Sequence, residues 1–119
     1  MTDTNVLEKK IISFLSENLS VPVSGELPDN PTIPCVVVEK TAGSYENTIL
    51  SGTYAVQSYG TSMAEASELN DNVKFLLLDG FITDNQVTDV TLNTDYNFTD
   101  TTAERYRYQA VFDIKFYRI

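Results

Sequence analysis

RYRYQAVFDIKFYRI, residues 105–119, alternates from end to end. Tyr106, Tyr108, Ala110, Phe112, Ile114 and Phe116 share one parity; Arg105, Arg107, Gln109, Val111, Asp113 and Lys115 share the other. Side chains of a β-strand point alternately to the two faces of a sheet, so the stretch predicts a strand with one aromatic and aliphatic face and one mainly polar face. The apolar face is a bed for helices, with tyrosine hydroxyls reaching the rim. Fully extended at about 3.3 Å per residue, the stretch would span about 50 Å. That exceeds a usual strand, so its length predicts a bend or a continuation onto a neighbouring subunit.

Working outward, QVTDVTLNT (86–94) reads as a weaker, Thr- and Val-rich strand, and DYNFTDTT (95–102) as a polar loop carrying aromatics. Before them, Ala66, Leu69, Val73, Leu76 and Leu77 recur at helical spacing. Ser62 and Glu65 fit a capping box, and Gly80 fits the C′ position. ILSGTYAVQSYG (49–60) alternates as a strand, with Tyr54 and Val56 opposite Thr53, Ala55 and Gln57. CVVVEKT (35–41) reads as a buried strand. AGSYENT (42–48), around Gly43, reads as the long tip of a hairpin joining these two. GELPDNPTIP (25–34), with three prolines, is a connecting loop. VPV (21–23) is a candidate short strand. NVLEKKIISFLSENL (5–19) is a helix with Leu7, Ile11, Phe14 and Leu15 on one face and Asn5 as N-cap. The expected fold class is α+β: a mostly antiparallel β-sheet, two helices packed on one face, and a long C-terminal strand.

The length, 119 residues, predicts one domain over 1–119. Hydrophobic content of 42% is that of a folding chain, not a disordered one. A net charge of −9 and a pI near 4.2 disfavour wrapping of nucleic acid, since Lys and Arg supply most phosphate affinity. MTDTNVLEKK lacks the layout of a signal peptide, and no apolar run approaches a membrane span. The lone Cys35 cannot form an internal disulfide, so a reducing interior is expected. NLS at Asn18 and NFT at Asn97 then match the glycosylation pattern by chance.

Histidine is absent from the chain. Ser–His and Cys–His nucleophiles are therefore excluded, and one cysteine cannot build a structural zinc site. Cys35, before three valines, reads as a buried apolar residue. Asp84, Asp89, Asp95 and Asp100 lack calcium-loop spacing and read as solvated loop acids. Gly52, Gly60 and Gly80 are isolated and form no phosphate loop. No catalytic residue, metal or cofactor is expected, and the chain reads as a non-enzyme. Arg105 and Arg107 share a face from which Tyr106 and Tyr108 are excluded, which splits a would-be stacking platform; the arginines are expected to pair with acids on a neighbouring strand or subunit. The candidate protein-interface residues are Tyr45, Glu46, Tyr96, Phe98, Arg105 and Arg107. Aromatics in polar loops are favoured contact residues, or else fold back on their own domain.

Helix, VPVSGELPDNPTIPCVVV (Val21–Val38), a hairpin ending YAVQSYG (Tyr54–Gly60), the helix Ser62–Leu77 and an aromatic alternating strand Tyr106–Ile119 together resemble the tail terminator family of long-tailed bacteriophages and prophages. The likeness lies in the order and spacing of these pieces; Thr83–Thr102 carries none of it. The resemblance implies a ring-forming virion protein, commonly a hexamer, at the head–tail junction, made in the host cytoplasm. It would cap the head-proximal end of the tail tube, stop its growth and join it to the head connector. The implied partners are copies of itself, the tail tube protein and the connector or stopper protein. DNA would pass through without sequence-specific binding, and no membrane is involved. If such a ring encloses a DNA channel, the net charge of −9 leads to the separate expectation that carboxylates on its inner wall repel the DNA. The alternatives are another connector component, such as a stopper or head-completion protein, or a small acidic binding or inhibitor protein.

Overall fold

Of the strand read over residues 105–119, Tyr106–Tyr117 lies inside the sheet. In the computed structural model, which describes residues 6–46, 48–81, 87–100 and 105–117, the elements run α1 (Val6–Asn18), β1 (Val23–Ser24), β2 (Cys35–Glu46), β3 (Ile49–Gly60), α2 (Met63–Phe75), β4 (Val87–Asn97) and β5 (Tyr106–Tyr117). The sheet order is β1-β2-β3-β5-β4, with β1 parallel to β2 and every other pair antiparallel. The expected α+β class holds. β5 runs Tyr106–Tyr117 and pairs with β3 along that length and with β4 on its other side, so both of its edges are occupied within the chain.

One apolar layer carries the fold. Leu7, Ile11 and Leu15 of α1 and Leu69, Val73 and Leu77 from the second helical segment meet Val36, Val38, Leu50, Tyr54, Val56, Ala110, Phe112, Ile114 and Phe116. Both helices thus cover one sheet face, the parity of β5 that the sequence made apolar. Ser62 caps α2, its hydroxyl accepting the Glu65 N–H at 3.1 Å. The reciprocal bond shifts by one residue, because the Glu65 carboxylate accepts from the Thr61 N–H and hydroxyl. Gly80 is not a left-handed cap: no glycine has positive φ, and α2 instead widens into a π-helical turn, Leu76–Gly80. Gly80 faces Phe14, where a Cβ would sit 3.1 Å from the ring. The N-cap proposed at Asn5 lies outside the described residues.

The hairpin differs from its sequence reading. Gly43 does not break the strand; β2 continues to Glu46, and only residues 47 and 48 separate it from β3. Gly43 lies opposite Gly52, and longer neighbours fill the space of both. A Cβ on Gly52 would fall 2.4 Å from the Tyr54 ring, and one on Gly43 2.7 Å from the Lys40 side chain. Thr48 turns the chain at φ 64°. DYN (95–97) is likewise strand, not loop, since it pairs with Ala110, Gln109 and Tyr108 of β5.

Tyr54 is fully buried over Gly52, and its hydroxyl has no hydrogen-bond partner among the described residues. Burial, and then the Glu8 carboxylate, push its pKa up to about 12. An unfolded tyrosine titrates near 10. Between pH 10 and 12 the unfolded chain therefore loses a proton that the folded chain keeps, and stability falls as pH rises. At about 1.4 kcal/mol per unit, the loss reaches about 2–3 kcal/mol. Tyr54→Phe is expected to leave stability at pH 8 unchanged or slightly higher, because it removes an unpaired buried hydroxyl. It should also flatten the alkaline decline. Urea midpoints at pH 8 and pH 11 check this; equal declines in both proteins would refute it.

Candidate interaction surface

The sheet face away from the helices carries a closed circuit of polar and aromatic side chains. Tyr59 Oη donates to Gln57 Oε1 at 3.2 Å, and Gln57 Nε2 to Gln109 Oε1 at 2.9 Å. Gln109 Nε2 donates to Tyr96 Oη. The Tyr96 and Phe98 rings meet edge to face at 5.6 Å. Arg107 closes the circuit: its guanidinium lies 4.3 Å from the Phe98 ring centroid, donates from Nε to the Phe98 carbonyl at 2.6 Å and from Nη1 to Tyr59 Oη at 3.1 Å. These side chains share a face because the register sets Gln57 beside Gln109, Tyr59 beside Arg107, and Tyr96 beside Gln109. Their packing fixes an arginine and two aromatics in place at low entropic cost to any partner.

Further along the same face, Asp113 accepts from Thr53 Oγ1 at 2.7 Å and from Asn93 Nδ2 at 2.9 Å. Those two bonds, Thr53 first, hold its carboxyl below the usual carboxylate range. A solvent-open depression of about 390 Å³ beside it is lined by small and polar residues, among them Ala42, Ser44, Ser51 and Lys115. On the helix side, Asp95 accepts from Asn70 at 2.7 Å and from Lys74, tying β4 to α2. That hydrogen bond is the main reason the Lys74 amine is held above its ordinary pKa. Asp95 is thus an anchored strand acid, not a solvated loop acid. Asp84 lies outside the described residues.

Cys35 is buried with Val37 and Tyr59 on the helix-free face. Burial raises its thiol pKa and Arg105 partly offsets this, an unreactive setting. Among the described residues no group of three or more His, Cys, Asp or Glu could hold a metal ion. No described helix is long and apolar enough to cross a membrane.

No family model and no curated protein matches the chain. A solved structure does. The chain is similar to one in "Virion of native gene transfer agent (GTA) particle", with a TM-score of 0.61 over 97% of this chain and 94% of that one, at 11% identity. At that identity the likeness is one of fold, shared end to end.

The six candidate contact residues divide between the two ends of this fold. Tyr96, Phe98 and Arg107 form one cluster, with Tyr96 and Phe98 still 41% and 37% exposed. Arg105 adjoins it through a backbone bridge to Asp100. Among the described residues of the chain itself, Arg107 meets the Phe98 ring and neutral oxygens, since its strand neighbours are Tyr59 and Phe98. The aromatics missing from its own strand face are supplied by β3 and by the residue after β4. Tyr45 and Glu46 sit at the opposite end, on the β2 side of the hairpin, both exposed. Sequence reading did not find Gln57, Tyr59 and Gln109; only the register of β3 on β5 shows that they meet.

Proposed function

We propose that the chain is a structural virion protein, and more narrowly a ring-forming tail terminator that caps the tail tube at the head–tail junction. The observation that carries the coarser reading is the end-to-end fold likeness to a chain of a gene transfer agent virion. The narrower reading rests on the order of sequence pieces described above. The helix-free face supports it: a rigid sheet with half-exposed Tyr96 and Phe98 braced by Arg107 is a surface for protein contact, rich in the residue types that dominate such interfaces. The partners would be copies of the chain, the tail tube protein and a connector protein.

Light scattering of the purified chain, alone and with the tail tube protein, tests this. A ring, alone or on tube ends, with arrest of tube growth is the expected result. A persistent monomer without effect on tube length would overturn the terminator reading. A ring that leaves tube growth untouched but binds the connector would favour the stopper role.

A further inference from the structure

The outer edge of β2 is open. β1 pairs only with Val36 and Val37, and beyond them no described strand lies alongside β2. After a register shift between Lys40 and Ala42, residues Ala42–Glu46 pair in unbroken register with β3, and every residue from Thr41 to Glu46 is exposed. The other sheet edge, β4, is interrupted by two register shifts, the usual protection against a further strand.

Glu46 and Ile49 flank the two-residue connection. A turn of that length closes with a hydrogen bond between its flanking residues, and antiparallel pairs then alternate between bonded and non-bonded. The N–H and C=O of Ser44 and Glu46 therefore face β3, while those of Gly43 and Tyr45 face the open edge. On the helix-side face, Tyr45, Leu50, Phe116 and Val87 form one cross-strand row. Leu50, Phe116 and Val87 are buried, whereas Tyr45 is 55% exposed, so the row ends open at this edge. Glu46 adds negative charge on the other face, with Lys115 beside it.

We infer that the Ala42–Glu46 edge accepts an added strand from another polypeptide, an extended segment with an apolar side chain beside Tyr45 and cationic residues flanking it. Outward donors and acceptors at alternate residues complement an extended backbone, and pockets for alternate side chains give selectivity. A second copy is disfavoured by long-range repulsion between two chains that each carry −9, whereas a cationic segment is attracted. The inference does not depend on ring formation, which is read by mass and not by this edge.

The probe is the capped peptide Ac-Lys-Val-Lys-Phe-Lys-Val-Lys-NH₂, added to the isotope-labelled full chain. Amide hydrogen exchange at Gly43 and Tyr45 is expected to slow by about tenfold at saturation, with Ser44 and Glu46 unchanged because their amides are already paired. Gly43→Pro removes an outward donor at an edge, where proline is tolerated, and is expected to abolish the slowing. Should that variant not fold, Glu46→Lys serves: it weakens the Lys peptide and favours the Glu counterpart. No slowing at millimolar peptide, or slowing centred elsewhere, overturns the inference. Slowing at Gly43 and Tyr45 without peptide, growing with chain concentration, also overturns it, because the occupant is then a second copy.

Discussion

Phe112→Ala is expected to cost about 3–5 kcal/mol, a large part of the about 5–15 kcal/mol that holds a domain of this size folded. Phe112 is fully buried at the middle of β5, opposite Tyr54 on one side and Leu92 on the other. Its ring thus joins the inner and outer halves of the sheet beneath the helices. Truncation removes its transfer free energy and leaves a cavity that neighbours on three fixed strands cannot close. Phe112→Leu, which keeps most of the volume, should cost well under half as much. Urea unfolding followed by circular dichroism measures both; a loss under 1 kcal/mol for the alanine variant would mean that the sheet repacks freely there.

Gly60→Ala is expected to be as damaging through the opposite error. A Cβ on Gly60 would lie 2.5 Å from the Ala66 nitrogen and 3.0 Å from its Cα. These are backbone atoms of the first turn of α2, so no side-chain rotation relieves the contact. The helix must lift from β3, which drags Ala66, Leu69 and Val73 from their buried positions. Overpacking typically costs about 1–3 kcal/mol, and the backbone clash puts this site at or above the upper end. Gly43→Ala is the control, because its nearest obstacle is the flexible end of Lys40. It should cost less than about 1 kcal/mol. Thermal unfolding of the two variants side by side separates the cases, and equal melting temperatures would contradict the close approach at Gly60.

What was legible in the sequence was local. Tyr106 to Phe116 announced their face by parity, and Leu7, Ile11 and Leu15 announced theirs by helical spacing, because burial on one side imposes those periods directly. Ser62 was legible as a cap because its bond spans three residues. The failures were non-local. Gly43 reads as a breaker, yet it stays in the strand because Gly52 lies opposite and Tyr54 and Lys40 fill both gaps. Asp95 to Asn97 read as loop by composition, but β5 supplies their partners. Tyr96, Phe98 and Arg107 read one by one as candidate contact residues; that they form one cluster, with Tyr59, Gln57 and Gln109 behind it, follows from strand register, which one sequence does not encode in any short window.

The sheet order also dictates a sequence of events during synthesis. β3 and β4 are not neighbours in the sheet; each pairs with β5, which leaves the ribosome after both. Until then the nascent chain holds a β2–β3 hairpin with one bare side, and β4 has no strand to join. Gly60 must find Tyr106 and Ile49 must find Tyr117 across long stretches of chain, closures that are entropically costly and slow. The interval is one in which unpaired strands are open to wrong partners, and a chaperone that shields them would be expected to raise the yield of folded chain more than any gain in final stability.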